Sequence, residues 1–357
     1  MDNEKASINI PVIIPAYEPD KNLLVLCEKL LEAGLIYVII VDDGSGKEYR
    51  EIFDTIQQKY NYIILRHAVN LGKGRALKEA FNYALNVNPN LVGVVTADSD
   101  GQHTPEDIIK CMEALIENPE NLILGYRTFD NRDIPWKSKI GNELTKKVCS
   151  YLCGIKISDT QTGLRGIPSS FMKKLLSVSG ERFEYETNML IECKKNIEIT
   201  EIPIQTIYDS KTDHKTHFDP IQDSIRIYKI FGGIFLKYII SSISSCLLDL
   251  GIFAFLCKIM KEKNNSLYII QATILARMVS ASYNYIINYK LVFKSKENRC
   301  LSMIKYFLLV VVQMSVSAVL VFVGVKIIKY IPEVYIKAVV DTLLFFLNYL
   351  LQQRFIF

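Results

Sequence analysis

Beyond Gly232 the chain changes character: four long apolar segments, near 233–257, 267–293, 303–328 and 334–353, take up almost everything to the C-terminus. At about 1.5 Å of helix per residue, each can cross a hydrocarbon layer of about 30 Å, so they read as transmembrane helices. An even number of spans returns the C-terminus to the side of the N-terminus. Lys290, Lys294, Lys296, Arg299 and Lys305 flank the central loop and favour that loop inside, although the outer loops carry lysines too. The polar, acidic start MDNEKASINI does not have the form of a signal peptide, so the part before the spans is expected to stay in the cytoplasm.

Averages over the 357 residues, 50% hydrophobic with a net charge of +4, conceal this division. Up to about 218, short apolar runs alternate with charged helical patterns, enough chain for one α/β domain with a substantial core. Runs at 10–14, 36–41, 62–66, 91–97 and 122–125 suit buried strands, and 20–33, 47–59, 72–86 and 105–118 suit helices. The last of these opens with Thr104 as cap, Pro105 in the first turn, and Glu106 and Asp107 at the positive end of the helix dipole. Helices over 135–152 and 184–195 and a strand over 197–207 complete the pattern, which predicts a mostly parallel sheet covered on both faces. Three regions result: an α/β domain over 1–218, a juxtamembrane helix over 219–231 and a membrane domain over 232–357. In the middle region Ile221, Ile225, Tyr228 and Phe231 form an apolar stripe opposed by Arg226 and Lys229, as in a helix lying on a membrane surface. The 8 cysteines are scattered with no CxxC, which fits reduced thiols better than a disulfide framework or metal cluster. No basic, aromatic-interleaved surface points to nucleic acid.

The chemistry gathers at strand ends. Asp98, Asp100 and Gln102, on alternate positions of LVGVVTADSDGQH (91–103), follow a buried strand, and ligands of open α/β sheets collect beyond the carboxyl ends of strands. Carboxylates with room for water are what Mg²⁺ or Mn²⁺ prefers, bridging protein oxygens to substrate phosphates. Alone, the same residues make an acidic surface turn at Gly101. Two further loops, Pro15-Ala16-Tyr17-Glu18 and Val41-Asp42-Asp43-Gly44-Ser45, end neighbouring strands. Asp42 or Asp43 can accept from the base or ribose of a nucleotide and Glu18 can hold a ribose hydroxyl, or each can serve as a helix cap. NLGKGRA (70–76) places glycines and cations before a helix, a position that attracts anions, and makes Lys73 a phosphate neighbour; it lacks the order of an ATP-binding loop.

Together VIIPAYEP (12–19), VDDGS (41–45), NLGKGRALKEAF (70–81), TADSDGQH (96–103), GYR (125–127) and DTQTGLRG (159–166) resemble the family-2 glycosyltransferases of GT-A (Rossmann-like) fold, and more narrowly the branch of dolichol-phosphate mannose synthases and polyprenyl-phosphate glycosyltransferases. The resemblance covers roughly 8–230. It implies inverting transfer of one hexose from a nucleotide sugar, a UDP-hexose and glucose first, to polyprenyl phosphate such as undecaprenyl phosphate. By motif, Pro15, Ala16, Tyr17, Glu18, Val41, Asp42, Asp43, Lys73 and Ala97 would hold the donor. Asp98, Asp100 and Gln102 would hold Mg²⁺ or Mn²⁺ and the donor diphosphate, with Arg127 close by. A lipid phosphate is already ionised near neutrality, so no strong general base is needed. Asp159, Gln161, Glu184 and Glu186 are candidates for orienting the acceptor or donor sugar, with capping and ion pairing to Arg165 or Arg182 as the plainer reading. Arg127, Lys137, Lys139 and Arg165 are candidates for the acceptor phosphate. His217, in HKTHF (214–218), matches the SHF element of this branch and would meet the donor phosphates; a lone surface histidine is the plainer reading.

Inside the membrane half, NYIINYKLVF (284–293) matches NYLLQQRFIF (348–357), so the domain reads as two helical hairpins in parallel orientation. These endings resemble the GtrA-like membrane proteins, associated with polyprenyl-linked sugars, which implies a bacterial cell membrane, multi-pass, with envelope or teichoic-acid glycosylation as the setting and the catalytic domain and C-terminus cytoplasmic. Asp249, Arg277 and Asp341 fall at comparable depth and are expected to form one charged cluster, either a site for a lipid phosphate or a structural ion pair. A lipid-linked-sugar flippase with a regulatory nucleotide-sugar domain, a GDP-mannose-dependent mannosyltransferase and a passive anchor are the competing readings. A processive synthase is disfavoured, since Trp136 lacks the QxxRW setting. Relatives of this architecture often self-associate through their membrane helices, which leaves a homo-oligomer open.

Overall fold

The computed structural model describes residues 10–127, 150–151, 154–155, 157–205, 222–261, 268–295, 297–328, 330 and 333–357. Lys137, Lys139, Trp136, His217 and most of the helix expected over 135–152 lie outside the described residues. The chain divides into two units, Met1–Ser150 with Ile155–Ile230, and Tyr151–Gly154 with Phe231–Phe357.

In the first unit the β-branched runs Val12–Ala16 (β1) and Val38–Asp42 (β2) pair in parallel, Val12 opposite Val38 and Ala16 opposite Asp42. With Ile63–Arg66 (β3), Gly93–Thr96 (β4), Leu122–Arg127 (β5), Arg165–Pro168 (β6) and Ile199–Ile204 (β7) they form a seven-stranded sheet in the order β3-β2-β1-β4-β6-β5-β7. The sheet is parallel except for β6, which runs antiparallel to both β4 and β5. Sequence patterning misses β6, because RGIP carries no alternation and two strand-breaking residues.

Alternation along the strands explains the two covered faces. Val12, Ile14, Val38 and Ile40 pack with Leu23, Leu26 and Leu30 of helix Asn22–Glu32 (α1), Phe53 and Ile56 of Arg50–Tyr60 (α2), and Ile108, Met112 and Leu115 of Pro105–Glu117 (α4). Ile13, Ile39 and Val41, on the alternate positions, are equally buried; Lys73–Val87 (α3) packs against β1 and β2, with Ser169–Leu175 (α5) and Glu184–Asn196 (α6) beside it. Thr104 caps α4 as expected, its Oγ1 accepting from Asp107 N at 3.2 Å. Parallel pairing puts the ends of β1, β2 and β4 at one edge, and antiparallel β6 begins there too, with Arg165 opposite Thr96.

The second unit contains helix Gln222–Lys261 (α7) from Phe231 on, with Tyr268–Ile287 (α8), Arg299–Ile327 (α9) and Glu333–Leu351 (α10). Segments Gly232–Met260 and Arg299–Gly324, with mean hydropathy 2.0 and 2.5, are long and apolar enough to cross a membrane. A separate surface helix before the first span is not what forms: α7 runs unbroken through Gly232 and Gly233 for 40 residues. The sequence repeat has a structural counterpart. α8 and α10 each end in a π-helical turn, Asn288–Val292 and Gln352–Ile356, at matching positions of the two motifs. Matching residues also meet each other: Asn288 Nδ2 donates to Gln352 Oε1 at 2.9 Å, and the Phe293 and Phe357 rings stack at 5.1 Å. Tyr285 lies 5.8 Å from Phe357 and its match Tyr349 lies 5.7 Å from Phe293, so the repeat halves face one another about a local two-fold.

Between α7 and α8 runs a polar seam. Ser241 Oγ donates to Asn288 Oδ1 at 2.8 Å, Asn288 Nδ2 to Asn284 Oδ1 at 2.9 Å, Ser245 Oγ to Ser280 O at 2.9 Å and Ser280 Oγ to Asp249 Oδ1 at 2.8 Å. Ser241, Ser245 and Asp249 are spaced by four residues and so share one face of α7. Arg277 meets Asp249 at 3.4 Å, whereas Asp341 is held by Ser317 on the other helix pair. Of the three charges expected at this depth, Asp249 and Arg277 meet each other, and Asp341 is bonded to Ser317.

Candidate active site

The strand-end loops are tied into one frame. The backbone N–H of Glu18 donates to Ser45 Oγ at 2.9 Å, and that of Ser45 donates to Asp42 Oδ1 at 2.9 Å. Glu18 adopts φ 45°, a left-handed conformation uncommon for a residue with a side chain, at the point where the β1 loop turns toward the β2 loop. Asp43 holds the next loop: its Oδ1 accepts from Leu71 N and lies 2.7 Å from His67 Nδ1, and its Oδ2 accepts from Gly72 N. Gly44, at φ 76°, is required here, since a Cβ would lie 2.1 Å from the Val69 carbonyl carbon. Of the two aspartates open at the sequence level, Asp43 is thus the brace of this loop and Asp42 the one with the less committed carboxylate. Pro15, Ala16, Val41 and Ala97 are buried backbone supports along the same edge.

Asp98 and Asp100 follow β4 in a turn in which Gln102 N donates to Asp100 Oδ1 at 3.0 Å. The loop before β6 closes over them. Thr96 Oγ1 donates to Gly163 O at 2.7 Å, and a Cβ at Gly163 would lie 2.3 Å from Asp98 Oδ2. Lys73 reaches this carboxylate from the start of α3, its Nζ 2.7 Å from Asp98 Oδ1 and 3.0 Å from Glu186 Oε2. Its expected part as a phosphate neighbour is therefore joined by an unexpected one, as counter-ion of Asp98. The helix amide beside it is occupied, since Arg75 N donates to Glu181 O at 2.9 Å. His103 is buried, with Nε2 3.5 Å from Asp98 Oδ2 and neither ring nitrogen hydrogen-bonded.

These neighbours set the acidity of the pair. Burial alone would raise the Asp98 carboxyl, but Lys73 and His103 outweigh it and hold the group well below the usual carboxylate range. Burial and the charge of Asp98 push Asp100 up instead. Burial would lower Lys73, yet Asp98 and Glu186 hold its ammonium above an ordinary lysine. Among the described residues no three of His, Cys, Asp and Glu converge into a metal cage. Asp98, Asp100 and the Gln102 amide nonetheless form an oxygen set of the kind Mg²⁺ or Mn²⁺ shares with substrate phosphates.

A second charged pair stands at the end of β5. Arg127 forks onto Asp159, Nε donating to Oδ2 at 2.6 Å and Nη2 to Oδ1 at 3.1 Å, and Asp159 is fully buried. Asp159 Oδ1 also accepts from Gln161 N at 3.0 Å, which turns DTQTG and leaves the Gln161 side chain exposed. Arg165 is corrected: at 1% exposure, with Nε donating to Thr162 O and Nη1 to Glu186 O, it braces α6 against β6 rather than presenting a cation to a phosphate. His67 carries a contact that no sequence motif singled out, and His103 closes the TADSDGQH motif without having been assigned a role there.

Residues 12–176 match the family model described as glycosyl transferase family 2. The UDP-N-acetylglucosamine–dolichyl-phosphate N-acetylglucosaminyltransferase of Methanococcus voltae is 32% identical over 221 residues, covering 56% of this chain and 86% of the relative. The chain is a family 2 glycosyltransferase. This glycosyltransferase also matches, over residues 237–357, the GtrA/DPMS transmembrane domain. The dolichol-phosphate mannosyltransferase of Pyrococcus furiosus is 26% identical to it over 257 residues, 68% of this chain and 71% of the relative. The polyprenol monophosphomannose synthase of Mycolicibacterium smegmatis is 23% identical over 202 residues, 54% of this chain and 75% of the relative.

Proposed function

We propose that this glycosyltransferase moves one sugar from a nucleotide sugar to the phosphate of a polyprenyl lipid, with inversion at the anomeric carbon. The observation that carries the reading is the Asp98–Asp100 turn at the end of β4, with Lys73 on Asp98, at the same sheet edge as the joined β1 and β2 loops, in a chain whose second unit supplies apolar helices long enough for a membrane. Asp42, Glu18 and Tyr17 hold the nucleoside, and Asp98, Asp100 and Gln102 hold Mg²⁺ or Mn²⁺, which when bound stabilises charge developing on the leaving diphosphate. Arg127, fixed by Asp159, receives the acceptor phosphate, whose ionised oxygen attacks without a strong base. Lys137, Lys139 and His217 stay as proposed cations for the two phosphate groups. All four helices of the second unit cross the membrane, with both chain ends and the first unit on the cytoplasmic side where nucleotide sugars are made.

UDP-hexoses are the first donors to try, glucose and N-acetylglucosamine together, since the Methanococcus voltae relative is named for a UDP-linked donor. GDP-mannose follows, on the names of the mannosyl-transferring relatives. The test is a panel of labelled nucleotide sugars offered with polyprenyl phosphate to the full chain in detergent, with the product anomer read by NMR. A β-linked lipid phosphosugar from an α-linked donor is expected; a retained anomer, or transfer only to water, contradicts the proposal.

A further inference from the structure

The cation on Asp98 is a side chain of the protein itself. Lys73 opens α3, Asp98 follows β4 and Glu186 lies in the first turn of α6, so three separate elements bring one ammonium between two carboxylates at 2.7 and 3.0 Å. The lysine side chain is 16% and that of Glu186 12% exposed, so water competes weakly for this charge. With the ammonium 2.7 Å from Oδ1 of Asp98 and the His103 ring 3.5 Å from Oδ2, a divalent ion that takes that carboxylate does so beside a positive charge already in place. The ion alone meets a nearby positive charge, whereas an ion arriving with a diphosphate brings oxygens that can receive the displaced ammonium. Glu186, bound to the same Nζ, keeps the lysine in place during such an exchange.

Resting on the reading of Asp98, Asp100 and Gln102 as the metal seat, we propose that Lys73 is the resident counter-ion of that seat, so that divalent metal enters together with the donor diphosphate and Glu186 positions the lysine for the exchange. Metal and nucleotide then bind cooperatively, and the coupling depends on Lys73. Each ligand must raise the affinity of the other by the same factor.

Mn²⁺ binding to the full chain, followed by electron paramagnetic resonance with and without UDP or GDP, tests this. In the unaltered protein nucleotide should tighten Mn²⁺ roughly tenfold, within the range usual for coupled sites. Lys73→Met should bind Mn²⁺ alone about fivefold more tightly and lose most of the coupling, because the competing charge is gone. Glu186→Gln should move the other way, weakening Mn²⁺ alone, since the lysine then has only Asp98. If the two residues merely support the loop, both substitutions weaken the binary complex. Lys73→Met binding Mn²⁺ no more tightly than the unaltered chain, at an unchanged melting temperature, overturns the proposal; where that variant melts early, Lys73→Gln gives the same comparison. No saturable Mn²⁺ binding in any form, even with nucleotide, would overturn the metal-seat reading and the exchange with it.

Discussion

The two units treat polar groups in opposite ways. In the first, charged side chains stand at the ends of elements and pair across loops: Lys73 between Asp98 and Glu186, Arg127 on Asp159, Asp43 on the 67–72 turn. In the second, the polar groups lie along helix faces and most are neutral serines and amides bonded to each other, with Asp249–Arg277 as a charged exception. Charges at loop ends can exchange a protein partner for a ligand at small structural cost. Hydroxyls and amides between apolar helices hold the helices together, each interhelical bond contributing on the order of 1 kcal/mol. Placement and charge together separate the groups that act on a ligand from those that hold the fold.

That contrast can be broken at its strong end first. Asp100→Ala should reduce sugar transfer by about a hundredfold or more while leaving the melting temperature within a degree or two, as expected where charge stabilisation of a leaving group is lost. Asp159→Asn should be costlier to the fold and cheaper to the chemistry: removing the buried carboxylate of the Arg127–Asp159 pair destabilises by about 3–5 kcal/mol, and KM for the lipid acceptor should rise more than kcat falls. Urea unfolding and acceptor titrations measure the two parts.

The seam gives the smaller effects. Gln352→Leu should cost about 1 kcal/mol and Asn288→Leu more, because Asn288 also bonds Ser241 and Asn284, and neither should alter nucleotide affinity. A smaller loss for Asn288→Leu than for Gln352→Leu, or a change in nucleotide binding, would erase the distinction drawn between the units. Arg277→Met should be mildest, with transfer within about twofold, because Arg277 lies in the second unit and Asp249 keeps its bond to Ser280. A collapse of transfer there would make the seam part of the chemistry.

Much of this was legible in the residue order, and what was not has physical reasons. Short apolar runs announced β1 to β5, and the motif repeat announced that α8 and α10 end alike. The short β6 is created by its neighbours β4 and β5 rather than by its own sequence. The residue pattern separates the juxtamembrane segment from the first span, yet a single helix of 40 residues runs through Gly232 and Gly233. Asp98, Asp100 and Gln102 could be picked out as a group because they are adjacent in sequence. The tie from Lys73 to Asp98 and Glu186 could not, since it joins residues 25 and 113 positions apart that meet only when α3, β4 and α6 are in place. Arg165 misled for the complementary reason: a cation in a loop motif reads as available until the fold buries it, here to 1% exposure.

The central claim is that the Asp98 cluster serves transfer to a lipid phosphate. The most direct measurement incubates the full chain with Mn²⁺, a labelled UDP-hexose or GDP-mannose, and either polyprenyl phosphate or the corresponding polyprenol, and counts label extracted into organic solvent. Label should appear with the phosphate, be absent with the alcohol and vanish in Asp100→Ala; equal label with the alcohol, or an undiminished signal in that variant, would contradict the account.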